Sequence, residues 1–156
     1  MRLAKRTGIL VFVFVVLLGP PAAAYEELAA LDLSAYAGQV VYLDFWASWC
    51  QPCRASFPYM DGLQAEHGKR GLVVIAVNVD TDRRLAEEFL AETPVGFRIA
   101  FDPAGKLAEQ WRLEGMPTTV LIARDGKTRF RQSGFRKADE AKLQSRIAQL
   151  LDEEAP

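Results

Sequence analysis

The sequence predicts an α/β domain in which strands and helices alternate and the sheet ends in an antiparallel hairpin followed by a last helix. Three observations lead there. Two nearly continuous apolar runs, residues 40–45 and 72–79, have the length and composition of strands buried on both faces. Each run is followed by a segment with helical spacing of its apolar residues. Near the end, Arg124-Asp125-Gly126 separates two strand-like segments, and Asp-Gly marks a tight hairpin.

The elements follow in order. Residues 26–38 have weak helical character, through Leu28, Leu31 and Leu33, and read as a helix or an irregular arm. The run 40–45 is the first strand. From Cys53 to His67, Phe57, Met60 and Leu63 fall at helical spacing; Gly68 stops the helix and His67 reads as its solvated end. After the strand 72–79, Asp80 and Thr81 can cap a helix that runs to about Glu92 and turns Leu85, Phe89 and Leu90 inward. Thr93-Pro94 ends it. Residues 97–101 make a short strand, 104–111 a short helix, and 118–123 with 127–132 the hairpin. The last helix, about 138–151, gathers Leu143, Ile147, Leu150 and Leu151 on one face. The basic residues Lys127, Arg129, Arg131, Arg136 and Lys137 read as a solvated hairpin face. With no repeat, low-complexity stretch or linker, residues 25–156 form one domain.

The totals narrow the function. The chain has 156 residues, half of them apolar, which suffices for one buried core. A net charge of −1 argues against nucleic acid as a partner, since phosphate binding needs a basic surplus. Residues 1–24 have the layout of a signal peptide. Arg2, Lys5 and Arg6 precede an apolar run over residues 9–18; Gly19-Pro20-Pro21 then breaks it, and Ala22-Ala23-Ala24 offers a small-residue cleavage site. The run is shorter than the ~20 residues of a spanning helix, so cleavage before Tyr25 is expected over an uncleaved anchor. No cysteine follows the run, which excludes a lipoprotein anchor. The expected compartment is a bacterial periplasm, where disulfides persist.

Only two cysteines are present, in Trp49-Cys50-Gln51-Pro52-Cys53, where the first strand gives way to the first long helix. A strand that runs into C-x-x-C and then into a helix makes a dithiol–disulfide switch. Free N–H groups and the positive dipole end of the helix favour a thiolate on the first sulfur. Cys50 would then be the exposed nucleophile, which attacks a partner disulfide. Cys53, one turn on and more buried, would resolve the mixed disulfide. A structural zinc pair lacks ligands, His67 being the only other soft candidate, and a purely structural disulfide would staple almost no chain. No metal is expected, and the redox group is the cysteine pair itself.

The segment Asp44-Phe45-Trp46-Ala47-Ser48-Trp49-Cys50-Gln51-Pro52-Cys53-Arg54 resembles the thioredoxin active-site segment, and Gly115-Met116-Pro117-Thr118-Thr119 resembles the cis-proline loop of that superfamily. Between them, Val77-Asn78-Val79-Asp80 and the helix after it resemble the insertion of the periplasmic TlpA/ResA/DsbE group. The resemblance runs from about Gly38 to the C-terminus. It implies a thioredoxin-like three-layer sandwich with a mixed central sheet flanked by helices.

It also implies roles. Pro117 would follow a cis bond in a loop, with Met116, that offers its backbone to an incoming polypeptide, and Trp49 would shape the same surface, whereas Trp46 reads as core. Asp44, on an otherwise apolar strand, would be a buried acid with a raised pKa that relays a proton to or from Cys53. Gln51 and Pro52, an uncommon pair between the cysteines, would help set the potential. Asp80 or Asp82 could tune the cysteines, although a helix cap explains either. The implied partners are protein thiols and disulfides, with a membrane electron donor, and the chain is expected to act as a monomer. The implied function is thiol:disulfide exchange, as a periplasmic reductant such as those of cytochrome c maturation. A disulfide oxidant or isomerase is the alternative; a thiol peroxidase or a copper-binding module fits the cysteine spacing poorly.

Overall fold

The computed structural model describes residues 26–27 and 31–154. The expected leader, residues 1–24, lies outside the described residues. In chain order the elements are β1 (Glu26–Glu27), β2 (Val40–Trp46), α1 (Gln51–His67), β3 (Leu72–Asn78), α2 (Arg83–Glu92), β4 (Arg98–Phe101), α3 (Lys106–Gln110), β5 (Thr118–Ile122), β6 (Thr128–Ser133) and α4 (Glu140–Asp152). The strands form one sheet in the order β1-β4-β3-β2-β5-β6. The first four in that order are parallel; β5 runs antiparallel to β2, and β6 antiparallel to β5. The sheet is therefore mixed, and helices cover both faces.

β2 is the centre of this arrangement. All seven of its residues are buried. It pairs with β3 from Val40↔Leu72 to Trp46↔Asn78, and on its other edge with β5. Because strand side chains alternate between faces, β2 feeds two cores. Tyr42 and Trp46 join Phe57 and Met60 of α1, Phe89 of α2 and Ile147 of α4. Val41, Leu43 and Phe45 join Ile75, Val77, Leu107, Val120 and Ile122 on the other face. The first core is knit by aromatic rings that meet edge to face or tilted: Phe57 lies 4.7 Å from Trp46, 5.0 Å from Phe89 and 5.4 Å from Phe97 between centroids.

The hairpin closes as Asp-Gly predicts. Gly126 takes φ +77°, its N–H donates to the Ala123 carbonyl, and Ala123 N–H donates to the Lys127 carbonyl. Four expectations need correction. Residues 26–38 hold a two-residue strand, β1, parallel to β4, and a 3₁₀ turn over Leu33–Tyr36, capped by Asp32. The cap of α2 is Asp82, whose carboxylate accepts the Arg84 N–H, and not Asp80 or Thr81. Leu85 is exposed; the inward residue of that turn is Ala86, which precedes Leu90 by four positions. His67 is buried, because the stripe Phe57, Met60, Leu63 continues four residues on to it. Its Nε2 lies 3.6 Å from Glu66 Oε1.

Phe57 touches three other rings, so Phe57→Ala should cost about 3–5 kcal/mol in urea unfolding. A loss under about 1 kcal/mol would show that this ring cluster is not what anchors α1 to the sheet.

Candidate active site

The cysteine pair is placed by the end of β2. After Trp46 the chain turns through Ala47, Ser48 and Trp49, with the Cys50 N–H donating to the Ala47 carbonyl at 3.0 Å. Cys50 is the N-cap of α1: its backbone is extended and its sulfur accepts the Cys53 N–H at 3.3 Å. Gln51 and Pro52 fill the first two helical positions, where the missing proline N–H costs nothing. One turn of helix brings the Cα atoms of Cys50 and Cys53 to 5.3 Å, and the two sulfurs form a disulfide. Cys53 is fully buried. Cys50 is the less covered of the two but only 5 % exposed, and so less open than the sequence suggests. Its side chain folds back over the helix end and belongs to the same core as Trp46 and Ala47. What the segment shows to solvent is Trp49, 69 % exposed, with Gln51, Pro52 and Arg54. Trp46 is core.

Two loops flank the pair at the same end of the sheet. The Met116–Pro117 bond is cis and leads directly into β5, whose first residue, Thr118, pairs with Phe45 of β2. Thr118 Oγ1 donates to the Gly115 carbonyl at 2.7 Å, and Gly134 N–H donates to the Pro117 carbonyl at 2.7 Å. Pro117 is buried, while Met116 is half-buried against the core that contains both cysteines. The second loop leaves β3. There Asp80, buried, accepts the Ser48 N–H at 2.9 Å and the Asn78 side-chain amide at 2.8 Å on one carboxylate oxygen, Oδ2. Asn78 Oδ1 in turn accepts the Asp80 N–H at 3.0 Å. With Val79 N–H donating to the Trp46 carbonyl, these bonds tie the turn before Cys50 to the end of β3. Asp82, by contrast, is occupied by α2 and Arg84.

Asp44 lies below, on the face of β2 that also carries Tyr42 and Trp46, the face that α1 covers. It is fully buried. Its Oδ1 accepts the Thr119 hydroxyl at 2.6 Å, while Oδ2 has no hydrogen-bond partner among the described residues. Burial pushes the carboxyl from 3.8 up to about 7, and the Thr119 hydrogen bond partly opposes that rise.

The structure thus brings Cys50, Cys53, Trp49, Gln51 and Pro52 onto one turn, with Met116-Pro117 on the neighbouring strand end and Asp44 on the strand beneath. The sequence reading missed Thr119, and gave Asn78 and Ser48 no part in the site. An amide and a carboxylate at the end of an apolar strand were a visible signal for Asn78 and Asp80. Thr119 gave none, because only the register of β5 against β2 sets it opposite Asp44.

A mixed sheet with helices on both faces, a disulfide at the head of the first long helix and a cis-proline loop beside it define a thioredoxin-like dithiol–disulfide protein. Comparison with known proteins agrees. The chain belongs to the Redoxin family, whose profile matches residues 19–147, and within it to the thioredoxin-like TlpA/ResA/DsbE group. It is 34 % identical over 101 residues to the thiol-disulfide oxidoreductase ResA of Oceanobacillus iheyensis, a match that covers 65 % of this chain and 53 % of that protein. The chain spans about half the length of the curated relatives it matches. Among solved structures it resembles a protein from Chlorobium tepidum described as a thiol:disulfide interchange protein DsbE, with 48 % identity, a TM-score of 0.75, and coverage of 76 % of this chain and 84 % of that one. It also resembles the exposed lipoprotein thioredoxin of Streptococcus pneumoniae, with 30 % identity, a TM-score of 0.67, and coverage of 76 % and 90 %.

The buried Asp44 makes stability depend on pH in a fixed direction. Unfolded, the carboxyl ionises near 3.8; folded, it holds its proton to about 7. The native state therefore binds more protons between those values, and stability falls as pH rises through that window. The gap corresponds to roughly 4 kcal/mol as an upper bound, at about 1.4 kcal/mol per pH unit. Asp44→Asn should remove this slope, so the variant gains on the wild type from pH 4 to pH 8 in urea titrations. Parallel pH profiles for the two proteins would refute a raised Asp44.

Proposed function

We propose that the chain is a thiol:disulfide oxidoreductase that works outside the cytoplasm, in a periplasm, as a reductant of protein disulfides. The observation that carries the reading is the Cys50–Cys53 disulfide on the first turn of α1. A bond that closes only two intervening residues adds little to stability, and its position at the positive end of a 17-residue helix suits a thiolate. The resemblance to relatives named as thiol-disulfide oxidoreductases and as an exposed lipoprotein thioredoxin supports both the chemistry and the compartment. Among the described residues no helix is long and apolar enough to cross a membrane; a leader over residues 1–24 would carry the chain across.

In the reduced protein the Cys50 thiolate attacks one sulfur of a partner disulfide. A Cys50–partner bond forms, the partner S–S bond breaks, and its second sulfur leaves as a thiolate. Cys53 then gives up its proton, and Asp44 Oδ2 is the group that takes it. The Cys53 thiolate attacks Cys50, closing the intramolecular disulfide and releasing the partner with both sulfurs reduced. The partner gains two electrons and the cysteine pair loses two. A membrane dithiol donor restores the pair.

Trp49 and Met116 form the contact surface for the partner. Pro117 has no N–H and its carbonyl is taken by Gly134, so the peptide groups that face the partner are those of Met116. Gln51 and Pro52, both exposed between the sulfurs, set the potential through the geometry of the first turn. The cysteine pair is the whole redox group, and the protein acts as a monomer.

With dithiothreitol as donor, Cys50→Ser should abolish insulin reduction, and Cys53→Ser should accumulate a mixed disulfide that dithiothreitol releases. A reductant should equilibrate with glutathione and dithiothreitol buffers near the thioredoxin value of about −270 mV. A potential near −120 mV would overturn the direction and make the protein a disulfide donor.

A further inference from the structure

Three polar side chains stand together inside the apolar layer between β2, β5 and α1. Tyr42 and Asp44 are two apart on β2 and share a face, and Thr119 is the direct cross-strand partner of Asp44 on β5. Thr119 Oγ1 lies 2.6 Å from Asp44 Oδ1 and 3.4 Å from the Tyr42 hydroxyl. All three are buried. A hydroxyl has one proton. If Thr119 donates it to the carboxylate, its oxygen is left to accept from Tyr42, which orders the chain as Tyr42 to Thr119 to Asp44. On its other edge Asp44 faces Ala76 of β3, which has no polar side chain to offer. Thr119 is thus the sole hydrogen-bonding partner of this carboxyl among the described residues, and it occupies one oxygen only.

We propose that Thr119 is the positioning residue for the proton relay. By engaging Oδ1 it fixes the plane of the Asp44 carboxyl and leaves Oδ2 as the oxygen that exchanges a proton with Cys53. This rests on the relay assigned to Asp44 above. The consequence is directional. A hydroxyl that donates to the carboxylate stabilises the ionised form, so it pulls the Asp44 midpoint down from where burial alone would put it, toward neutral pH, where a relay both takes and returns a proton. Tyr42, at a longer distance, supports Thr119 more weakly.

Few other groups can move that midpoint. Tyr42 shares the strand face, and Tyr59 of α1 acts on Tyr42. From α1 the facing groups are Cys50 and Cys53, which carry no titratable proton as a disulfide. α2 and α4 contribute the apolar Phe89, Leu90, Ile147 and Leu150 to this core.

The test is the titration of the Asp44 carboxyl carbon by NMR in the oxidised full-length protein, together with the pH dependence of mixed-disulfide resolution in the reduced one. Thr119→Val, close in shape but without the hydroxyl, should move the Asp44 midpoint up by roughly one pH unit or more. The resolution profile should move with it, and Thr119→Ser should restore both. Thr119→Ala removes the hydroxyl without adding an apolar methyl; it must move the midpoint in the same direction, which covers the case in which valine perturbs folding. A midpoint unchanged in Thr119→Val or Thr119→Ala overturns the assignment of Thr119. Asp44→Asn tests the relay separately. If its resolution keeps the wild-type pH step, the relay is wrong, and the NMR midpoint still reports whether Thr119 governs the carboxyl.

Discussion

The burial of β2 on both faces and both edges is the constraint from which the rest of the structure follows. A strand with β3 and β5 hydrogen-bonded on either side and a core above and below cannot slip by one residue without turning Tyr42 and Trp46 into the wrong core. Its C-terminal end is therefore fixed in space, and the four residues after Trp46 have only to make one turn before α1 begins. That turn is held as well, by Asp80 on the Ser48 N–H and by the Val79-to-Trp46 backbone bond. The sulfur of Cys50 becomes a helix cap because nothing in this frame lets it sit elsewhere.

The same burial makes every polar group in the wall costly unless it is bonded. The two buried carboxylates near the site meet this cost differently. Asp80 collects a backbone N–H and an amide on Oδ2, its Oδ1 having no partner among the described residues, and acts as a clamp. Asp44 has a single hydroxyl at 2.6 Å and an oxygen with no partner among the described residues; burial pushes its carboxyl to about 7, and the one hydroxyl only partly opposes that rise. A clamp gains from donors that join two chain segments, whereas a group that must change protonation near neutral pH needs its charged form less fully stabilised. Each has one oxygen without a partner among the described residues, so what separates the clamp from the candidate relay is the other oxygen, which takes two donors in Asp80 and one in Asp44.

Much of this is legible in the sequence, and each miss has its own physical cause. Strands and helices with an unambiguous apolar period, such as β2, β3 and α4, were read within a residue or two, because burial of a whole face is a local pattern. The same period contained the burial of His67, four residues after Leu63, but its polar ring drew the reading to solvent. Asp80 has the chemistry of a cap, but α2 begins at Arg83, so that place falls to Asp82. Leu85 has the chemistry of a core residue, but the register of α2 against Trp46 and Phe57 selects Ala86 and Phe89. Thr119 was out of reach for a different reason: 75 positions separate it from Asp44, and only strand pairing brings them together.

Fold and motif together leave one quantity open to variation, which is the balance between disulfide and dithiol. For a two-electron couple about 30 mV corresponds to roughly 1.4 kcal/mol, so the span between strong oxidants and thioredoxin-like reductants is only a handful of hydrogen bonds. Here a sulfur at the helix cap receives one backbone N–H, from Cys53 at 3.3 Å. The residues between the cysteines, Gln51 and Pro52, are exposed and uncharged, and proline at the second helical position cannot donate. Nothing cationic is built in between the sulfurs; Arg54, the nearest in sequence, has its guanidinium over the Phe89 ring at 4.8 Å. Below the pair, an ionised Asp44 would oppose a second negative charge on Cys53. Few thiolate-stabilising groups and a buried carboxylate on the strand that α1 covers both weigh against a strongly stabilised dithiolate, the feature that makes an oxidant. That balance is the physical reason for reading the pair as a donor of electrons.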